Sequence, residues 1–138
     1  MSVNRLAYKA GYKYVVQDDF SYDTGIMGRG VALEHLRLSG VGTLTIRKGY
    51  AWDGPSGPTF DTVNFIRGSL VHDALYQLME EDALPFSYRK IADDILIAIC
   101  KEDGMSAIRR WWVKLAVNTF GARALETRNP VLFAPRKP

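Results

Sequence analysis

Cysteine is nearly missing from this chain: Cys100 stands alone among 138 residues, so no disulfide can close within it. Its apolar surroundings suit a buried structural thiol rather than a nucleophile. No apolar run reaches the roughly 18 to 20 residues of a membrane span. The opening residues, MSVNRLAYKAGYKYVV, lack the apolar core of a secretory signal. The expectation is a chain made in a reducing cytosol, with any membrane contact peripheral. There is no Cys-x-x-Cys pair, no Walker loop and no serine nucleophile elbow, so three common chemistries lack their signatures. Repeats and low-complexity linkers are absent too.

What remains is ordinary in bulk. The apolar fraction is 47%, the charged fraction 24% and the net charge +3, and a chain of this length is one domain with a real core. The charge is uneven, with Arg109, Arg110, Lys114, Arg123, Arg128, Arg136 and Lys137 crowding the C-terminal third. So small a net charge is no evidence for specific nucleic-acid binding.

The pattern changes character near Gly54. Before it, short β-type runs over Tyr12 to Val16, Val31 to Leu38 and Thr43 to Ile46 alternate with turn signals, and Ser39-Gly40-Val41-Gly42 reads as a hairpin loop. Leu36-Arg37-Leu38 and Leu44-Thr45-Ile46 show the period-two alternation of a sheet with one buried face. Asp18 to Gly30 reads as loop. The run WDGPSGPTF, Trp52 to Phe60, has two glycines and two prolines and predicts an ordered loop. Three helices follow: about Thr62 to Met79 with Asp61 as N-cap, Ser87 (as N-cap) to about Asp103 with Gly104 as stop, and Ser106 (as cap) to about Leu125. Strands first and helices afterwards predict an α+β domain, with a β-rich part over 1–50, the loop and helices over 51–127 and an irregular basic tail over 128–138.

On the first helix His72 and Tyr76 are four apart and share a face, while Asp73 points about 100° away. The second helix carries Asp93 and Asp94 inside the apolar stretch IADDILIAIC. One carboxylate faces solvent; the other, if buried, needs a partner, which an imidazole N–H and a tyrosine hydroxyl on the facing helix would supply. Helix phase within one residue leaves Asp93 and Asp94 both open. A histidine fixed by a carboxylate is a better base. The competing reading is a core histidine with a satisfied N–H. The Gly-Pro loop upstream adds weight to chemistry, because free carbonyls and N–H groups suit a hard cation and an oxyanion.

HDALY followed by an Ala-Asp on the next helix resembles the phospholipase A2 superfamily, especially the disulfide-free domains of parvovirus capsids and the short bacterial enzymes. The longer stretch GYAWDGPSGPTFDTVNFIRGSLVHDALYQL is similar to a family of uncharacterised small proteins of tailed phages. The first resemblance implies a three-helix unit in which His72 is the general base, Asp93 holds its far nitrogen and Tyr76 supports Asp93. It further implies a calcium ion on Asp73 and on backbone carbonyls of Trp52 and Gly54 in the Trp52 to Gly57 loop, with a backbone N–H near Gly54 or Gly57 at the oxyanion. The loop reads W-D-G-P-S-G where that superfamily has Tyr-x-Gly-x-Gly. The implied function is lipid-ester hydrolysis at a phospholipid surface, in host cytoplasm or virion. A non-enzymatic structural or accessory phage module, with phage structural proteins as partners, is the rival reading.

A further rival is a metal-dependent phosphohydrolase using His35, His72, Asp73 and Asp93. It requires His35, which sits in the β-type run ALEHLRL, to come within ligand reach of His72. On the third helix Ile108, Trp111, Trp112, Leu115 and Ala116 form one stripe beside Arg109, Arg110 and Lys114. Either this is the face that packs on the other helices, the favoured reading, or it is an interfacial surface.

Overall fold

A computed structural model describes residues 8–9, 14–52 and 63–126, with side chains over 14–52 and 63–117. Strands occupy the N-terminal half: β1 (Tyr8–Lys9), β2 (Tyr14–Val16), β3 (Phe20–Asp23), β4 (Val31–Ala32), β5 (Leu36–Leu38), β6 (Thr43–Ile46) and β7 (Ala51–Trp52). Three helices follow, α1 (Val63–Glu80), α2 (Arg89–Glu102) and α3 (Ala107–Glu126), with a 3-10 turn at Phe86–Tyr88 leading into α2. The α+β class expected from the sequence is the one observed.

Every strand pair is antiparallel, in a three-stranded sheet ordered β1-β2-β7 and a four-stranded sheet ordered β3-β6-β5-β4. The two are joined end to end. Tyr14 faces Trp52 in the first and Phe20 faces Ile46 in the second, an equal step along both chains. The ladder is interrupted between them and bridged by the Val16 N–H to the Tyr50 carbonyl at 2.9 Å and the Gly49 N–H to the Val16 carbonyl at 2.8 Å. Gly49 and Gly42 take positive φ of 96° and 94°, which an L side chain resists. Leu36, Leu38, Leu44 and Ile46 point inward and are buried while Arg37 is exposed, as the alternation requires.

Four expectations change. Phe20–Asp23 is a strand, not loop, and pairs with β6 along its whole length. The run from Val31 to Leu38 is not one strand but a tight hairpin, closed by the Leu33 N–H on the Leu36 carbonyl. Trp52 belongs to β7 rather than to the loop after it. Ser87 does not cap α2: it lies inside the 3-10 turn, and the residue before α2 is Tyr88, with no side-chain cap. Ser106 does cap α3, its Oγ accepting from the Arg109 N–H at 3.3 Å. Asp61, residues 53–60 and the tail beyond Glu126 lie outside the described residues.

The inner sheet face and α1 share one core, in which Phe20, Leu44, Trp52, Leu70, Leu75, Leu78 and Met79 are fully buried. Each such side chain contributes about 1.5–3 kcal/mol through removal from water. A second cluster of Phe65, Leu96, Cys100, Met105 and Val113 joins the three helices. Burial pushes the Cys100 thiol up to about 12, in keeping with a structural, unreactive role. Helices α1 and α2 cross closely at Gly68, where a Cβ would meet Leu96 Cδ1 at 2.8 Å. Across this corner Arg67 pairs with Glu102 and Asp103 and lies over the Tyr22 ring, tying α1, α2 and β3 together.

Candidate active site

The crossing of α1 and α2 settles which carboxylate is internal. With Ala92, Leu96, Ile99 and Cys100 buried against α1, the inward face of α2 includes Asp93, whose side chain is inaccessible to solvent. Asp94 points out and pairs with Lys90 at 3.3 Å, one turn back on α2.

On α1, His72 and Tyr76 stack with ring centroids 4.3 Å apart. Both reach the same oxygen of Asp93: His72 Nε2 lies 2.7 Å from Oδ1, and the Tyr76 hydroxyl donates to Oδ1 at 2.9 Å. A carboxylate only accepts, so Nε2 carries the proton and the lone pair of the neutral ring is on Nδ1. That nitrogen is directed toward Asp73, 3.8 Å from its Oδ1, an ion-pair distance rather than a hydrogen bond. Asp73 is partly exposed, unlike Asp93.

Burial alone would pull the His72 imidazolium down. The two carboxylates, Asp73 and then Asp93, outweigh it and hold His72 above its ordinary value. The Tyr76 hydroxyl is pushed well above the phenol range, first by burial and then by its bond to Asp93, and so stays a donor. Oδ2 of Asp93 is buried and has no hydrogen-bond partner among the described residues.

One further contact was not foreseen. Trp52 donates its indole N–H to Ser69 Oγ at 3.0 Å, and the Ser69 hydroxyl donates to the Ile66 carbonyl. Ser69 lies one helical turn before Asp73 and two before Tyr76, a spacing that was visible in the sequence as a shared helix face. The last strand residue before the Gly-Pro segment is thereby docked beside the His72 turn of the helix.

Gly54 and Gly57 lie outside the described residues. Among the described residues no group of three or more His, Cys, Asp or Glu side chains is disposed to hold a metal ion. That includes His35, His72, Asp73 and Asp93 as a set. His35 instead sits in the β4–β5 turn, its Nδ1 buried without a partner among the described residues and its Nε2 against Gly49. Among the described residues no helix is long and apolar enough to cross a membrane. Comparison with family models, with curated proteins and with solved structures finds no match.

Proposed function

We propose that this is a calcium-dependent lipid-ester hydrolase of the phospholipase A2 kind, or a degenerate relative of one, encoded by a tailed phage and acting at host membranes during entry or lysis. The observation that carries the reading is the shared oxygen of Asp93, which fixes His72 through Nε2 and leaves Nδ1 as the base. In the reaction, water attacks the ester carbonyl as Nδ1 takes its proton, and the C–O bond forms. The imidazolium, held between Asp73 and Asp93, then returns the proton to the departing alkoxide, giving fatty acid and lysolipid. Tyr76 keeps the Asp93 carboxylate in place and does not transfer a proton. Asp73 and the backbone carbonyls of Trp52 and Gly54 would hold calcium, which would polarise the ester carbonyl beside an N–H near Gly54 or Gly57. Those oxygens are hard donors, and the docking of Trp52 at Ser69, one turn before Asp73, is compatible with such a loop.

Fatty-acid release from mixed phospholipid vesicles, with calcium and then with chelator, tests this. Release that needs calcium and disappears in His72→Gln is expected, with the circular dichroism of the variant unchanged. Release unaltered in that variant removes His72 as the base. A non-enzymatic phage structural or accessory protein is the second reading, favoured by the apolar face of α3 that is open to solvent. Folded protein with no release under either condition would favour it.

A further inference from the structure

The face of α3 expected to pack inward does not. Trp111 and Trp112 are 58% and 57% exposed, Ile108 is 71% exposed and Leu115 is about half exposed, while Val113 on the other side of the helix enters the second core cluster. The two indoles meet edge to face at 5.0 Å and form one apolar ridge. Leaving such groups in water forgoes a large part of their transfer free energy.

Charge decides between occupants. From Ala107 onward α3 carries Arg109, Arg110, Lys114 and Arg123, and it reaches no acid until Glu126. Arg110 donates to the Met105 carbonyl and Arg109 to Asn64 on α1, so both guanidinium groups are half-buried on the protein side of the helix, and Lys114 is the exposed cation that flanks the ridge. A second copy placed on this face would set cations against cations. A layer of anionic headgroups over an apolar interior matches both features, and indoles favour that boundary.

We infer that the Ile108–Trp111–Trp112–Leu115 face of α3 docks on an anionic lipid surface. This names the partner of the lipid-ester reading and rests on it, but binding and turnover are separable. The chain has three tryptophans, of which Trp52 is buried, so an indole emission shift on adding lipid reports on α3.

The full chain, in chelator, is titrated with vesicles of phosphatidylcholine and with equimolar phosphatidylcholine and phosphatidylglycerol, following emission and co-sedimentation. Expected is a blue shift and binding to the mixed vesicles, weaker on phosphatidylcholine alone and falling as salt rises. Trp111→Ala/Trp112→Ala should raise the half-saturating lipid at least about tenfold. Lys114→Glu, which keeps both indoles, should weaken binding to mixed vesicles on the order of tenfold and leave neutral vesicles unaffected. Val41→Ser, at an exposed hairpin tip, should change nothing. Equal binding by the double variant, no binding by the native chain, or self-association that the double variant abolishes would each overturn the assignment. Binding without fatty-acid release leaves it standing and removes the hydrolase; cleavage of a soluble short-chain ester without vesicle binding does the reverse.

Discussion

Asp93 accepts from His72 and Tyr76 on a single oxygen of a side chain that solvent does not reach, and the two bonds differ in kind. Both end on a carboxylate and so are charge-assisted, but only the His72 bond becomes an ion pair, when the ring is protonated. Tyr76→Phe removes one neutral donor to that carboxylate and should cost about 1.5 kcal/mol, while Asp93→Asn weakens both bonds and should cost about 2–3 kcal/mol. Urea denaturation of the two variants gives the order, and a larger loss in Tyr76→Phe would assign the site's stability to the phenol. The raised His72 value also sets a pH dependence. Because the folded chain holds that proton more tightly than the unfolded one, the stabilisation is complete below the unfolded value of about 6.5 and is lost as pH rises through the folded value. The gap in urea midpoint between the native chain and His72→Gln, in chelator, should therefore narrow as pH rises above about 6.5. A gap that widens over this range would mean that burial outweighs the carboxylates. The His72–Tyr76 stack was legible from spacing alone. Asp93 over Asp94 was not, because the choice depends on how α2 is rotated against α1, and that is decided by tertiary contacts at Ala92, Leu96 and Ile99.

At the scale of elements, the α1–α2 crossing rests on one missing side chain. A methyl at Gly68 would meet Leu96 Cδ1 at 2.8 Å and, at 3.3 Å, both Cys100 Sγ and the Leu96 carbonyl. The leucine tip can turn aside, but the carbonyl cannot, so Gly68→Ala should separate the helices and cost about 1–3 kcal/mol despite its better helix propensity. Urea denaturation measures it, and an unchanged midpoint would show that α2 can shift freely. The same elements show where pattern reading reached its limit. Helices of 14 to 20 residues average out local noise, whereas strands of two to four residues do not. β3 was missed because FSYD is flanked by acidic and glycine turn residues, and its partner Thr43–Ile46 lies far along the chain. The β4–β5 turn at Leu33–His35 has no Gly, Pro or Asn to announce it. On α3, composition showed a stripe but not which side of the helix would be covered. Val113 and the short apolar cluster around it took the inner position.

For the molecule as a whole, polar contacts set among the core side chains join sheet and helices. Trp52 to Ser69 and the Tyr50 hydroxyl to Gln77, at 2.9 Å, link the β7 end of the sheet to points about two turns apart on α1. Ser69→Ala would leave the indole N–H buried without an acceptor, a loss of about 1–3 kcal/mol. The expected outcome is a lower urea midpoint together with reduced fatty-acid release. A full loss of stability with release unchanged would show that the contact does not position the segment after Trp52.

The division of the core into two clusters has a dynamic consequence. Phe65, Leu96, Cys100, Met105 and Val113 are a small cluster beside the sheet-and-α1 core, and α3 enters the interior through that cluster. Sub-global opening of α3 can therefore occur at a lower free energy than global unfolding, with the α1–α2 pair still closed over Asp93. Such an opening would leave the His72–Asp93–Tyr76 contacts intact while the outermost helix exchanges its amide hydrogens with solvent.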